Sequence, residues 1–391
     1  MIATPRHNGT TDPRPGAPGR RVRVLVNGVH AHSGGGVTYL RNMLPMLAAD
    51  PELELHLIVH EEQLALLGPL DARLHVHALG FRNGFFCRLL WEQAALPFLV
   101  RRLGADVTFS PANFGPLLAP APVVLLRNTL AVAETETRFS KRLYWRGLGA
   151  MTALSLLGCR RAIAVSEYAA RVLTRRLPAF VERRVAVVHH GIGPPFAPPP
   201  EGAEREDFVL AVADLYVQKN LHGLLDALDT LKDRFPDIRL KVAGRAVDHD
   251  YEARLKDIIA VRALRPHVEM LGDVAPERLA ELYRACALFV FPSFVETFGM
   301  PLVEAMASGA PIVSSNAAAM PEVLGEAALF FQPGDTAAMA ARLAEALGDG
   351  ALRRRLGALA LARAGQFSWQ EAARRTAAVL KAAPRRNSLS A

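Results

Sequence analysis

Residues 291–304 read FPSFVETFGMPLVE, and the preceding residues 285–290 read ACALFV. That short unbroken apolar run is the pattern of a parallel strand covered by helices on both faces. Pro292 has no amide proton to give and ends the ladder. Gly299 frees the backbone for a tight turn, Pro301 suits the first position of a helix, and Gly309 suits that helix's C-terminal cap. The unit is strand, loop, helix. A helix that starts directly after a strand presents unpaired amides and a partial positive charge, so the loop ahead of it can receive an anionic or polyhydroxyl ligand. Glu296 falls in that loop. Glu304 falls about one turn inside the helix, next to Val303, Ala305, Met306 and Ala307, a stretch with little reason to hold a charge unless a ligand meets it.

The same alternation runs through the rest of the chain. Apolar strand candidates at residues 22–26, 53–59, 106–109, 123–126, 162–165 and 185–188 are separated in several places by helical patterns of ten or more residues, which is the order of a parallel sheet. GIGPPFAPPPEGA at 191–203 is too stiff and polar for a core element and reads as the hinge. A second series follows at 208–213, 240–243, 268–271, 288–291, 312–314 and 329–331. The fold class is therefore α/β, with two Rossmann-like, doubly wound parallel-sheet domains. The expected division is a flexible tail at 1–20, a first domain at 21–193, a proline-rich linker at 194–206, a second domain at 207–365, a terminal helix at 366–383 and a disordered tail at 384–391. Ligands of such sheets bind outside the carboxyl ends of the strands, which points to the cleft between the domains.

The chain has 391 residues, of which 51% are hydrophobic and 21% charged, long enough for two cores and incompatible with wholesale disorder. Its three cysteines are widely spaced and form no metal-finger or disulfide framework, which fits a reducing, cytoplasmic setting. The first twenty residues lack the apolar core of a signal peptide, and no run of eighteen apolar residues is present. The net charge of +8 is carried by the first half. Between Arg127 and Arg184 basic residues outnumber acidic ones, with Leu143, Tyr144, Trp145, Leu148 and Met151 interleaved. Such a stretch suits either the anionic headgroups of a membrane, with the protein peripheral on its inner face, or a solvated helix face. No nucleic-acid partner is expected.

ETFGMPLVE at 296–304, AMASGAPIVSS at 305–315 and MPEVLG at 320–325 together resemble the E-x(7)-E region of the family 4 (group 1) retaining glycosyltransferases, which have the GT-B fold. The resemblance covers nearly all of residues 208–347 and recurs more faintly in the first half. It implies a sugar transferred with retention from a nucleoside diphosphate to a hydroxyl acceptor, saccharide or lipid-linked, without a cofactor or a metal ion for the chemistry. It implies that Glu304 holds the ribose hydroxyls, that the backbone amides of Phe298, Gly299 and Met300 hold the donor sugar and phosphate, and that Glu296 lies near the sugar hydroxyls. In AVADLYVQKN, 211–220, Lys219 takes the position of the lysine that contacts the diphosphate. Many relatives carry an arginine five positions earlier, where this chain has Asp214; Arg245 is the nearest candidate for the missing charge, and Asp214 is left without a role. Val274 is counted on the donor side. NGVHAHSGGG, 27–36, precedes a helix expected from Val37, and Gly34 and Gly35 let backbone amides approach the donor. Where relatives often carry a histidine near the sugar, LLRNTLAV at 125–132 offers Arg127 and Asn128 instead.

Other polar groups have plainer readings. Asp248, His249 and Asp250 imitate a D-x-D metal motif but fall in a loop after Gly244. His30 with His32, and His75 with His77, alternate as ligands on a strand could, yet neither pair has a companion at ligand spacing. Ser166 opens SEYAARVL as a helix N-cap. Two other functions fit the same architecture: a nucleotide-sugar epimerase, and a non-catalytic nucleotide-sugar-binding subunit, the latter favoured by the departures at Asp214 and Arg127.

Overall fold

The computed structural model describes residues 20–32, 34–81, 84–128 and 139–384; the tail expected at 1–20, save Arg20, and the one expected at 384–391, save Pro384, lie outside them. Thirteen strands are described. The first sheet holds β1 (Val22–Asn27), β2 (Leu53–His60), β3 (His75–Leu79), β4 (Val107–Ser110), β5 (Pro122–Leu126), β6 (Arg161–Ala164) and β7 (Val185–Val187) in the order β3-β2-β1-β4-β5-β6-β7. The second holds β8 (Glu206–Val212), β9 (Leu240–Ala243), β10 (Val268–Gly272), β11 (Cys286–Phe291), β12 (Ile312–Ser315) and β13 (Ala328–Phe331) in the order β10-β9-β8-β11-β12-β13. Every strand pair is parallel.

Burial explains which strands the sequence reveals. All six residues of β11 are buried, as are the last four of β1, and these centre strands give continuous apolar runs. β3 was not anticipated as a strand: its residues HVHAL lie at the sheet edge, and only Leu79 is buried. An edge strand has solvent on one side and needs no continuous apolar run.

The strand order reverses between β1 and β4 and again between β8 and β11. These are the topological switch points at which crossovers diverge to opposite faces and leave a crevice at the carboxyl ends of the strands. The loops after β1, β8 and β11 therefore meet the crevice, and these are the loops that hold Gly34, Lys219 and Glu296.

The helix Trp369–Lys381 packs on the first domain against the helix Gly35–Ala48. Lys381 ion-pairs with Asp50 at 3.1 Å and Glu52 at 2.5 Å. Tyr39, His190, Trp369, Phe298 and Phe367 form one aromatic cluster that joins both domains, with His190–Phe298 centroids 5.1 Å apart and Tyr39–Trp369 centroids 6.2 Å apart. Among the described residues, no helix is long and apolar enough to cross a membrane.

Two local expectations are corrected. The first-domain helix starts at Gly35 rather than near Val37, with Gly34 as its N-cap at φ +54°, because the triple glycine supplies the turn and then enters the helix. Asp248 lies at a helix N-terminus rather than in an open loop: its carboxylate accepts from the Tyr251 amide and caps the helix His249–Val261.

Candidate active site

The loop after β11 is built as its sequence implies. Gly299 sits at φ +87° as the N-cap of the helix Met300–Ala307, with Pro301 in its first turn, and Gly309 at φ +65° follows its end. A left-handed N-cap turns the chain sharply enough to leave the first amides of the helix unpaired. The Glu304 carboxylate accepts a hydrogen bond from the Tyr283 hydroxyl at 3.1 Å. Burial pushes its pKa up to about 7, while the Tyr283 bond pulls the other way. Glu296 ion-pairs with Lys219 and accepts from Ser293 Oγ at 3.3 Å. Lys219 ends a short 3-10 turn, Val217–Lys219, directly after the β8 loop. The fold thus pairs the lysine of one loop with the glutamate of the next.

Asp214 acquires a role. Its carboxylate accepts from the Arg245 amide at 3.0 Å and from the guanidinium at 3.2 and 2.5 Å. Burial raises its pKa, but the Arg245 bonds outweigh burial and hold it below the usual range. Asp214 thus orients Arg245. Arg245 Nη2 lies 3.9 Å from where a Cβ on Gly34 would stand, so it reaches across to the first domain.

Arg127, at the end of β5, lies flat against Gly36: a Cβ there would be 2.6 and 2.8 Å from its two terminal nitrogens. Only glycine admits that approach. Its Nε is buried with no hydrogen-bond partner, and among the described residues the guanidinium makes no ion pair. Burial lowers its pKa, the mark of a charge held where its ionised form is disfavoured. The neighbouring His190 is pushed down to about 3, first by burial and then by the Arg127 charge, so it stays neutral. Arg127 and Arg245 therefore flank the amino end of the helix Gly35–Ala48, whose N-cap and first two residues are glycines. The arrangement sets two guanidinium groups, one from each domain, beside a helix amino end, where a negative charge is favoured.

The remaining residues lie nearby or serve as frame. Asn128 is exposed, and its backbone is held by the Asn113 side chain, whose Oδ1 accepts from the Arg127 and Asn128 amides at 2.9 and 3.0 Å. Val274 is partly buried against the main core. Met300 is half-buried, and the Phe298 ring is buried in the interdomain aromatic cluster. A 550 Å³ cavity lined by Asp106, Pro122, Arg160 and Arg184 lies at the amino ends of β4 and β5, away from both switch points.

Two ties across the domains escaped the sequence reading. Thr297 donates to the Arg127 carbonyl at 2.5 Å and accepts from Ser166 Oγ at 2.5 Å, while Ser166 also accepts from the Ala169 amide as a helix N-cap. Glu322, in MPEVLG, caps a helix of the other domain: its carboxylate accepts from the Glu167 and Tyr168 amides at 2.8 and 3.0 Å and from His189 at 2.9 Å. Burial raises the Glu322 pKa, but these bonds outweigh it and hold the group ionised. Nothing in one sequence announces such a cap, because its partner lies 155 residues away. Glu322→Ala should cost about 1–2 kcal/mol of closure energy. Hydrogen exchange should show it as faster exchange at the amides of Glu167 and Tyr168; unchanged protection there would remove the tie.

Comparison with known proteins follows this geometry. The family described as Glycosyl transferases group 1 matches residues 196–362, and Glycosyltransferase Family 4 matches residues 33–194. The chain belongs to the family 4 (group 1) glycosyltransferases. Among curated relatives of this glycosyltransferase, O-antigen chain mannosyltransferase B of Escherichia coli is 35% identical over 175 residues, covering 44% of this chain and 45% of the relative. The MMP alpha-(1->4)-mannosyltransferase of Mycolicibacterium hassiacum is 34% identical over 202 residues, covering 50% of this chain and 48% of the relative. Each match spans less than half of the relative's own length. Among solved structures, sucrose-phosphate synthase from Thermosynechococcus elongatus superposes with a TM-score of 0.73 at 18% identity, covering 93% of this glycosyltransferase and 99% of that chain. HepE of Anabaena, solved in complex with UDP-glucose, superposes with a TM-score of 0.72 at 19% identity, covering 92% and 99%. These likenesses establish the GT-B fold of two facing parallel-sheet domains.

Proposed function

We propose that this glycosyltransferase moves a hexose, such as mannose or glucose, with retention of anomeric configuration from a nucleoside diphosphate to a hydroxyl of a saccharide or lipid-linked saccharide acceptor in polysaccharide or glycoconjugate synthesis. The observation that carries this reading is the Arg127 guanidinium, which makes no ion pair among the described residues, leaves its buried Nε without a hydrogen-bond partner and packs on Gly36 at a helix amino terminus. A cation kept without a counterion is costly to the fold and is explained by an anionic ligand.

In this reading the donor diphosphate lies against Arg127, Arg245 and the amides at Gly34 and Gly35, and Lys219 leaves Glu296 to meet it. As the glycosidic bond to phosphate breaks, negative charge grows on the departing diphosphate, and these fixed cations stabilise it more than they stabilise the bound ground state. Glu296, released from Lys219, accepts from the sugar hydroxyls. Glu304 accepts from the two ribose hydroxyls, a task for an ionised carboxylate with two oxygens. Backbone amides of Phe298, Gly299 and Met300 hold the sugar and phosphate, Val274 borders the donor, and Asn128 faces the sugar or acceptor. No metal ion or cofactor has a part in the chemistry. The names of the mannosyltransferase relatives make a nucleoside diphosphate mannose the first donor to try, and the HepE complex makes UDP-glucose the second.

The test is a panel of UDP-, GDP-, ADP- and dTDP-sugars, reading nucleoside diphosphate release with and without saccharide acceptors, and the anomeric signal of the product by NMR. Acceptor-dependent release from one donor with an unchanged anomeric configuration is expected. Sugar epimerised and released without an acceptor would establish the epimerase reading, and binding without turnover the non-catalytic one.

The helix Phe139–Gly158 exposes Leu143, Tyr144, Leu154 and Leu157, with Arg142 and Arg146 exposed among them. We assign this face to an anionic membrane surface at which a lipid-linked acceptor would be presented, placing the protein on the inner face of a membrane. Co-sedimentation with phosphatidylglycerol vesicles should fall at least tenfold in Arg142→Glu/Arg146→Glu. Equal binding by variant and wild type, or none by the wild type, would remove this surface.

A further inference from the structure

His75 and His77 stand two residues apart on β3 and share one face of the edge strand. The sequence alone gave them no companion, but the fold does. Glu54 and His56 stand two apart on β2, and the parallel pairing sets His56 opposite His75. The His56 ring is the hub of the group. Its Nε2 lies 3.1 Å from Glu54 Oε1, its Nδ1 lies 3.0 Å from His77 Nε2, and His75 stacks on it with centroids 4.7 Å apart and planes 24° apart. Glu54, His56 and His75 each bring a donor atom within 4.8 Å of the others.

Arg23 Nε donates to Glu54 Oε1 at 2.8 Å. A carboxylate oxygen paired with a guanidinium accepts, so across the 3.1 Å contact His56 donates from Nε2 and its Nδ1 lone pair faces His77. A carboxylate that fixes the tautomer of a histidine while its other nitrogen points to neighbouring imidazoles is the usual support of a metal-ligating histidine.

We propose that His56, His75 and His77 bind a divalent transition-metal ion of the zinc class, with Glu54 orienting His56, and that the ion clamps the edge strand β3 to β2. Imidazole donors select zinc, copper and nickel over magnesium and calcium. Tetrahedral zinc with bonds of about 2.0–2.1 Å sets its donors about 3.3 Å apart. His75 is exposed and His77 half-buried, and the facing nitrogens of His56 and His77 already lie 3.0 Å apart. The site lies on an outer sheet edge, and neither it nor its test depends on the proposed transferase activity.

The experiment titrates the full chain, freed of affinity-tag histidines and of metal, with Zn²⁺ against a chromogenic chelator, and repeats the titration with Mg²⁺. One Zn²⁺ per chain is expected, with no binding of Mg²⁺. His75→Ala/His77→Ala alters only side chains at the sheet edge and should weaken Zn²⁺ at least tenfold with circular dichroism unchanged. Glu54→Gln should weaken it about 10–100-fold through the orienting bond. Zn²⁺ should also raise the melting temperature of the wild type and not that of the double variant. Absence of Zn²⁺ binding, or undiminished binding in the double variant, would overturn the site; wild-type affinity in Glu54→Gln would overturn the orienting role.

Discussion

Arg127→Met should reduce turnover by about 10²–10³-fold, the effect of removing one preorganised charge-stabilising donor, while raising the melting temperature rather than lowering it. The two signs together are the prediction. Arg127 is held against Gly36 with its Nε unpartnered and no ion pair among the described residues, so the fold bears an uncompensated desolvation cost. Methionine fills much of the same volume without that cost. A structural arginine would show the opposite pattern, losing stability first and activity only with it. Gly36→Ala tests the same contact from the other side, because its methyl group would collide with the guanidinium; it should lose activity with Arg127 still present.

Glu304 gives the second large effect. Glu304→Ala should abolish measurable turnover with the fold intact, since in the proposed reading this carboxylate accepts from both ribose hydroxyls; the Tyr283 hydroxyl loses its bond to Glu304 as well. Its pH dependence has a definite sign. The folded pKa of about 7 lies above the ordinary carboxylate value of 4.5. The stability that this group contributes is therefore fully present below about pH 4.5 and is lost as pH rises through about 7. Glu304→Gln should accordingly be more stable than the wild type at pH 8 and show little difference at pH 4. Donor binding runs the other way: it requires the ionised form, so the wild-type KM for the donor should fall as pH rises from 6 to 8, and the Gln variant should lose that dependence. A wild-type KM flat across this range, or full turnover in Glu304→Ala, would remove Glu304 from the site.

The centre of each sheet was legible in the sequence because buried parallel strands such as Cys286–Phe291 leave apolar runs bounded by proline and glycine. The edge strand His75–Leu79 was not, since one face and one edge meet solvent and the run breaks into alternation. Glu296, Glu304 and Lys219 were singled out because they stand in short local stretches with fixed spacing, and the structure brings Lys219 and Glu296 together as an ion pair. Asp214 looked like a lost charge; only the fold shows it holding Arg245. Tyr39, His190 and Glu322 carried no local signal, because their partners come from the other domain. The general rule is that contacts made within one strand-loop-helix unit can be read along the chain, whereas contacts made by closing two units on each other cannot.

The central claim is that groups from both domains converge on one sugar-diphosphate site. Thermal unfolding with UDP, GDP, ADP and dTDP tests it most directly, comparing the wild type with Arg127→Met from the first domain and Lys219→Ala from the second. One nucleotide should stabilise the wild type by about 2.7 kcal/mol at a hundred times its dissociation constant, and each variant should lose most of that shift. Stabilisation retained in either variant, or absent with all four nucleotides, would contradict a site shared between the domains.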